Sequence, residues 1–491
     1  MQGLKQLSSI RALVVDFWAS ITVEPAIFFL WVGLGILTGS EVETNFKLWK
    51  ACSISLGYND TICDDLSAEG NDHIQDETQV YLNKFEIVNQ YISSTPVIIY
   101  SMFIGALSDK YGRKALILAP IFGSIIDDSL ALVHVTFQRT LPMTFFYIQN
   151  FFNWFGGPSV YYLGIYSYGS DVTDESNRST RLARFDGFEM GSFLIGTLLS
   201  PYVFKWGGYY GSYGTRGILS VCSFCFVLFA VTESLPKAEK EHDSSPKTTG
   251  WFRRLIVDPF TSTLRAIFRP REGHLRLYVF CLFGIYGCYW AAVSLRGSNE
   301  YLYLRKTFKG FTGEDFSHFN VYLQVLNMIC LFVGIPIMKD LFKWDEATIG
   351  VLITACQVVG LICQAMAANM FPQFYLATFI MGAQLSVYSI ARSQFTKCVH
   401  PNEVGKIFAA VAITASVMQL AIAPLGKLLY NATITTYPGT FLLFMSFTFF
   451  IAFLLNGFLW FHRHEMQHKT EDPIDDIPLD TEENRGFEKK E

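Results

Sequence analysis

Charge is what this chain has least of. Only 16% of its 491 residues are Asp, Glu, Lys or Arg, while 51% are hydrophobic; soluble proteins carry about 25% charged residues, so a water-facing exterior over the whole chain is excluded. Several chemical signatures are missing as well. There is no Cys/His spacing suited to zinc, no phosphate-cradling glycine loop and no nucleic-acid motif, and no nucleophile, base and oxyanion arrangement. The expectation is a protein that is not an enzyme, needs no metal or cofactor, and binds no nucleic acid. Cysteine outside apolar blocks is scarce: eight of the ten lie in or beside such blocks and read as small core residues. The net charge of −5 has no chain-wide meaning, because the acids gather in two polar stretches. The opening MQGLKQLSSIRALVVDFWAS interrupts its apolar lead with charge and lacks a small-residue cleavage pattern, so the first span is expected to act as its own signal.

What is abundant is apolar sequence in blocks of about twenty residues, the length a helix needs to cross a bilayer. Windows of about nineteen residues place spans near 15–37, 86–107, 115–136, 143–168, 183–204 and 214–233, then near 275–296, 319–338, 347–369, 373–394, 405–429 and 438–461. The fold class is therefore all-α: a polytopic membrane protein with twelve transmembrane helices in two six-helix bundles, residues 1–233 and 275–462. Its partners are the lipid bilayer and a small-molecule solute; oligomeric state is not legible. The linker 234–274 interleaves Trp251, Phe252, Leu255 and Phe260 with Arg253, Arg254, Arg265 and Arg269, which suits either amphipathic helices on a leaflet or a basic tether. The acidic tail 463–491 is expected to be disordered.

Lys and Arg collect after span 2, after span 4 and in the linker, so these segments and both termini are expected in the cytosol. Segment 38–85 falls on the opposite side and is acidic, with a glycosylation sequon at Asn59. A second sequon, at Asn431, lies close to the membrane, and one at Asn177 would be cytosolic. Cys52 and Cys63 share the outer segment, where an oxidising compartment permits a bridge; bridged and free thiols both remain open. Plasma membrane and endolysosomal membrane are both compatible.

Between spans 2 and 3 stands Gly105-Ala106-Leu107-Ser108-Asp109-Lys110-Tyr111-Gly112-Arg113-Lys114, the major facilitator loop signature. Glycines let two helices approach closely, and a carboxylate at a helix end can pair with bases and with a helix N-terminus. Gly105, Asp109, Gly112, Arg113 and Lys114 are thus the candidate cytosolic gate. Gly334 to Lys343 is a faded echo in the second half.

Val23-Glu24-Pro25-Ala26-Ile27-Phe28-Phe29-Leu30, together with that loop, resembles the proton-coupled folate transporter family, which includes the thymic stromal cotransporter and a lysosomal exporter of steroid conjugates. Arg181 to Asp186 and Ile390 to Lys397 extend the resemblance over most of the chain. The resemblance implies proton-coupled movement of an organic anion, with coupling at Asp186 and Arg392 near the substrate path. The chain departs from the folate member at span 7, where Tyr289 or Trp290 replaces a histidine, and at Phe155-Gly156-Gly157-Pro158, which replaces an aspartate; both weigh against folate itself. It also lacks the family's cysteine after span 7, so any bridge would join Cys52 to Cys63.

An ionisable side chain inside a span costs on the order of 2.5–3.5 kcal/mol and should face a cavity or a partner. Asp186 and Glu189 share a helix face, and neighbouring carboxylates in low dielectric resist joint ionisation; they lead the candidates for proton coupling, with Glu24, Asp127 and Asp128. Asp186 could instead pair with Arg181 or Arg184. Glu24 precedes Pro25 and is expected inside a bent span. Arg392 offers a planar fork for an anion, or snorkels to headgroups. Gln149, Asn153, Tyr161, Gln324 and Asn327 are candidates to line the route.

Proton-coupled symport by alternating access is the function this supports. A non-transporting receptor or adaptor is the other reading, against which the intact loop signature argues. Topology is directly testable: cysteines at positions 60 and 110 should react with an impermeant maleimide from opposite sides of the membrane, and labelling from one side would dismantle the twelve-span arrangement.

Overall fold

The computed structural model describes residues 22–68, 70–155, 157–173, 178–234, 274–367, 370–399 and 404–463, with scattered positions between 261 and 269. The N-terminal lead, nearly all of the linker, the Asn177 sequon and the acidic tail lie outside the described residues. Helices in chain order are α1 (Glu24–Gly39), α2 (Val42–Lys50), α3 (Asp60–Asp64), α4 (Asp72–Tyr111), α5 (Arg113–Thr136), α6 (Phe145–Phe151), α7 (Gly157–Asp171), α8 (Arg178–Ala230), α9 (Leu275–Thr307), α10 (Gly313–Ile329), α11 (Glu346–Met366), α12 (Phe371–Ile380), α13 (Gln384–Cys398), α14 (Val404–Thr433) and α15 (Thr440–Phe461).

Among the described residues, eight helices are long and apolar enough to cross a membrane, or nine when the bent pair Glu24–Gly39 and Val42–Ser55 counts as one. The eight include α8, whose 53 residues would make a rod of about 80 Å, far beyond the ~30 Å hydrocarbon core. Gly208 resolves this: its φ of +55 lies where only glycine sits without strain, and it divides α8 into two rods. Contacts with α1 give their directions. On the first rod, Arg184 meets Glu24 and Ser200 meets Ser40, so that rod runs parallel to α1. On the second, Ser223 bonds the Ala26 carbonyl and Arg216 lies against Gly33, so it runs back. With α1, α4 and the broken pair α6–α7, this accounts for twelve passes.

Two departures from the sequence reading have clear causes. α1 begins at Glu24 with Pro25 in its first turn, where proline's missing N–H costs nothing; Pro25 opens the helix rather than bending a longer one. The helices at spans 2 and 7 outrun their apolar blocks, α4 starting at Asp72 and α9 ending at Thr307. Polar helix ends need tertiary partners to persist, and here they partner each other: Lys306 Nζ lies 2.5 Å from Asp76 Oδ1, and Gln79 Nε2 donates to the Leu302 carbonyl at 3.3 Å.

In the first half, α8 packs on α1 and α5, and α5 on α7; in the second, α11 packs on α15, and α9 on α14 and α15. The halves meet where α4 packs on α14 and α10 on α8. Cross-half polar contacts gather toward the end bearing a Cys52–Cys63 disulfide, among them Arg305 Nη1 to Asn45 Oδ1 at 2.7 Å, Tyr301 OH to Asn45 Oδ1 at 2.6 Å and Ser317 Oγ to the Thr197 carbonyl at 2.6 Å. This end is closed.

The α1–α8 contact is backbone on backbone. A Cβ at Gly196 would lie 2.2 Å from the Val32 carbonyl oxygen, and one at Gly35 would lie 2.5 Å from the Phe193 carbonyl oxygen. Neither oxygen can swing away. Gly196→Val should therefore destabilise the fold by about 1–3 kcal/mol or more, read as a lower thermal midpoint in detergent; an unchanged midpoint would mean the helices do not touch here.

Candidate functional site

The facilitator loop closes on residues that the signature alone does not name. Gly112 has φ +103, a backbone conformation that favours glycine, and the Glu233 carboxylate lies directly over it. Glu233 Oε1 accepts from Arg113 N at 2.8 Å, placing an anion on the N-terminus of α5, as the helix dipole favours. Arg113 Nε bonds Asp171 Oδ2 at 3.0 Å, and Lys114 Nζ bonds the Leu228 carbonyl at 2.7 Å. Gly105 and Asp109 belong to the last turns of α4, and the Asp109 side chain lies outside the described residues. The second half has a counterpart that sequence reading missed: Glu346 lies 2.8 Å from Lys339 and 3.0 Å from Lys397, and accepts from Ser393 at 2.7 Å.

Glu24 is fully buried. Its Oε1 lies 2.6 Å from Arg184 Nη2 and 3.4 Å from Arg181 Nη2, and its Oε2 accepts from Thr22 N at 2.7 Å. These two arginines thus serve Glu24, and Asp186 has another partner. Asp127 and Asp128 are also buried, and they share Arg216 at 3.4 and 3.1 Å, with Ser220 Oγ donating to Asp128 at 3.1 Å. Arg216 was invisible as a partner because it sits beside the glycine-rich turn that starts the second rod of α8.

Asp186 and Glu189, on the first rod of α8, each accept a phenol from α7: Tyr166 OH bonds Asp186 and Tyr162 OH bonds Glu189. On the other half, Arg392 Nη1 donates to Tyr388 OH at 2.9 Å, with the guanidinium 5.3 Å from that ring's centre. Tyr286 and Tyr289 of α9 stand 5.6 and 5.8 Å from Tyr388; Trp31 of α1 stands 5.8 Å from Tyr162. The two sets face each other, close enough for the charges of Arg392 and Asp186 to interact, and for Tyr388 to feel both carboxylates. Two acids and one guanidinium, drawn from opposite halves and walled by phenols, form the candidate site. It can hold a proton and an anion side by side.

Other sequence candidates lie elsewhere. Tyr161 is buried in the first bundle's apolar core with Ala26, Ile121 and Phe185, and Gln149 is buried beside Asp127 and His134; neither is brought to Arg392. Asn327 Oδ1 accepts from Leu385 N at 2.9 Å, serving the break between α12 and α13. Gln324 Nε2 reaches Thr197 Oγ1 across the halves at 3.4 Å. The Asn153 side chain lies outside the described residues. Asn59 is exposed in the outer segment and caps α3 by accepting from Thr61 N at 3.2 Å.

The Major Facilitator Superfamily model matches residues 90–363, more than half of the chain. The chain belongs to the Major Facilitator Superfamily. It is accordingly a multi-pass membrane transporter and not an enzyme. It is similar to a Drosophila melanogaster protein titled "Probable peptidoglycan muropeptide transporter SLC46", 23% identical over 86% of this chain and 82% of the relative. It is also similar to the Rattus norvegicus proton-coupled folate transporter, 21% identical over 92% of this chain and 95% of the relative. The human lysosomal proton-coupled steroid conjugate and bile acid symporter SLC46A3 is 22% identical over 86% of this chain and 90% of the relative. Among solved structures, the human organic anion transporter MFSD10 has the same fold, with a TM-score of 0.60 and 13% identity over 88% of this chain and 97% of that one.

Removing Arg216 strands two buried carboxylates. Arg216→Met should cost on the order of 3–5 kcal/mol, measured as lost thermal stability of the purified transporter. Combining it with Asp127→Asn and Asp128→Asn should return most of that loss; no recovery would mean Arg216 acts through something other than this pair.

Proposed function

We propose that this facilitator is a proton-coupled symporter that carries a small organic anion by alternating access. The observation that carries the reading is the opposition of Asp186 and Glu189 on one half to Arg392 on the other. While Asp186 is ionised it competes with any anionic solute for the guanidinium. A proton on Asp186 ends that competition, so proton and anion bind with positive linkage. The pair then crosses together, because the proton neutralises Asp186 and the anion neutralises Arg392. The tyrosine walls suit a solute with a flat apolar body and a polar edge, in the class of folate-like compounds or steroid conjugates, and the relatives' titles support that class.

In this reading both termini and the Gly112 loop face the cytosol, and the disulfide-bearing segment with Asn59 faces outside or the organelle lumen. Between plasma membrane and endolysosome, the relatives titled lysosomal support the latter. Asp127, Asp128 and Glu24, each held by arginine, serve as structural charges, and the coupling proton resides at Asp186 and Glu189.

The test is uptake of labelled anions against pH. Flux should rise as pH falls on the disulfide side. Asp186→Asn should flatten this dependence, because the position can no longer gain a proton. Arg392→Gln should raise the KM about tenfold or more by removing a charged hydrogen-bond donor. An unaltered pH profile in Asp186→Asn would remove that residue from coupling.

A further inference from the structure

α4 presents one polar seam to the other half. Asp76, Gln79, Asn83, Glu86 and Gln90 recur at steps of three and four, which places them along a single helix face. Four of these five positions bond directly across the interface. Asp76 meets Lys306 at 2.5 Å, Gln79 accepts from Tyr430 OH at 2.9 Å, Asn83 donates to Asn431 at 2.7 Å, and Gln90 donates to the Gln419 carbonyl at 3.1 Å. Asn431 is thereby committed to packing, which argues against a glycan at its sequon.

Glu86 is the exception. Its place opposite is held by Lys427, about one turn of α14 before Asn431, and the two line a cavity of about 250 Å³ together with Glu41, Glu43 and Lys47. Lys427 is 8% exposed, and its ammonium has no described hydrogen bond or ion pair, though its charge feels Glu86 and Glu41. Glu86 is taken by its own half: Lys47 Nζ lies 2.7 Å from it and 2.5 Å from Glu43. Glu41 accepts from Thr44 Oγ1 at 2.6 Å.

We propose that Glu86 is a switching acid, held by Lys47 in this state and transferred to Lys427 to complete the seam when the disulfide end seals fully. The exchange keeps the number of ion pairs constant, since Lys47 retains Glu43 when Glu86 leaves. It relieves Lys427, a buried cation with no ion-pair or hydrogen-bond partner among the described residues. Two arrangements of similar energy are what a reversible gate requires. The two lysines therefore compete: Lys47 loosens the seam and Lys427 tightens it.

This rests on the transporter reading only in that the halves must separate. The test uses full-length protein in proteoliposomes with Ser298→Cys, a position lining the cavity, and an impermeant maleimide on the disulfide side, with modification at 298 quantified by mass spectrometry. Lys427→Gln should raise the labelling rate about fivefold, and Lys47→Gln should lower it by a similar factor. Glu86→Gln should abolish both responses. Rates that shift in the same direction for the two lysine variants, or in neither, overturn the proposal. Should a single variant fail to fold, Glu86→Lys with Lys427→Glu preserves the rung while removing Lys47's hold, and should label more slowly than the parent; a rate above the parent's in that folded pair also overturns the proposal. The labelling needs neither solute nor proton gradient, so a failed uptake prediction would leave this result standing.

Discussion

A charge in hydrocarbon needs a partner from another helix, and much of the first half's geometry follows from that constraint. Glu24 opens α1 and is met by Arg181 and Arg184 at the start of α8. Asp127 and Asp128 of α5 are met by Arg216 on the returning rod of α8. Each pairing fixes the axial register of two helices, because a slip of one turn would strand a charge at several kcal/mol. Between these pins, Gly35 and Gly196 bring α1 and α8 into backbone contact. These pins tie α1, α5 and both rods of α8 together.

The central site obeys a different logic. Its acids rest on tyrosine hydroxyls, and its arginine rests on a tyrosine ring and hydroxyl. Each of these contacts lies within one half. The two groups of buried charges are distinguished by what holds them.

Much of the architecture could be read in advance from block length, since twenty apolar residues admit few structures in a bilayer. The loop signature named Gly112, Arg113 and Lys114, but their partners Glu233 and Asp171 lie far away in sequence and only folding brings them in. The polar start of α4 and end of α9 carry no apolar signal and are helical because they pair with each other. Facing was the hardest to infer: on an almost wholly apolar helix, periodicity does not say which side is interior. Tyr161 and Gln149 therefore looked as eligible to line the solute path as Gln324 and Asn327. Arg216 and Lys427 stand near span ends, where a basic residue is ordinarily taken for a headgroup anchor.

The paired extensions of α4 and α9 belong to opposite halves. Both run past their apolar blocks, joined through Asp76 and Lys306 on the side of the disulfide-bearing segment. Because the halves rock about the middle of the bilayer, these tips travel farther than any residue at the solute site. A binder that bridged the two tips from the watery side would hold the transporter shut with the leverage of a long handle, without ever reaching the cavity.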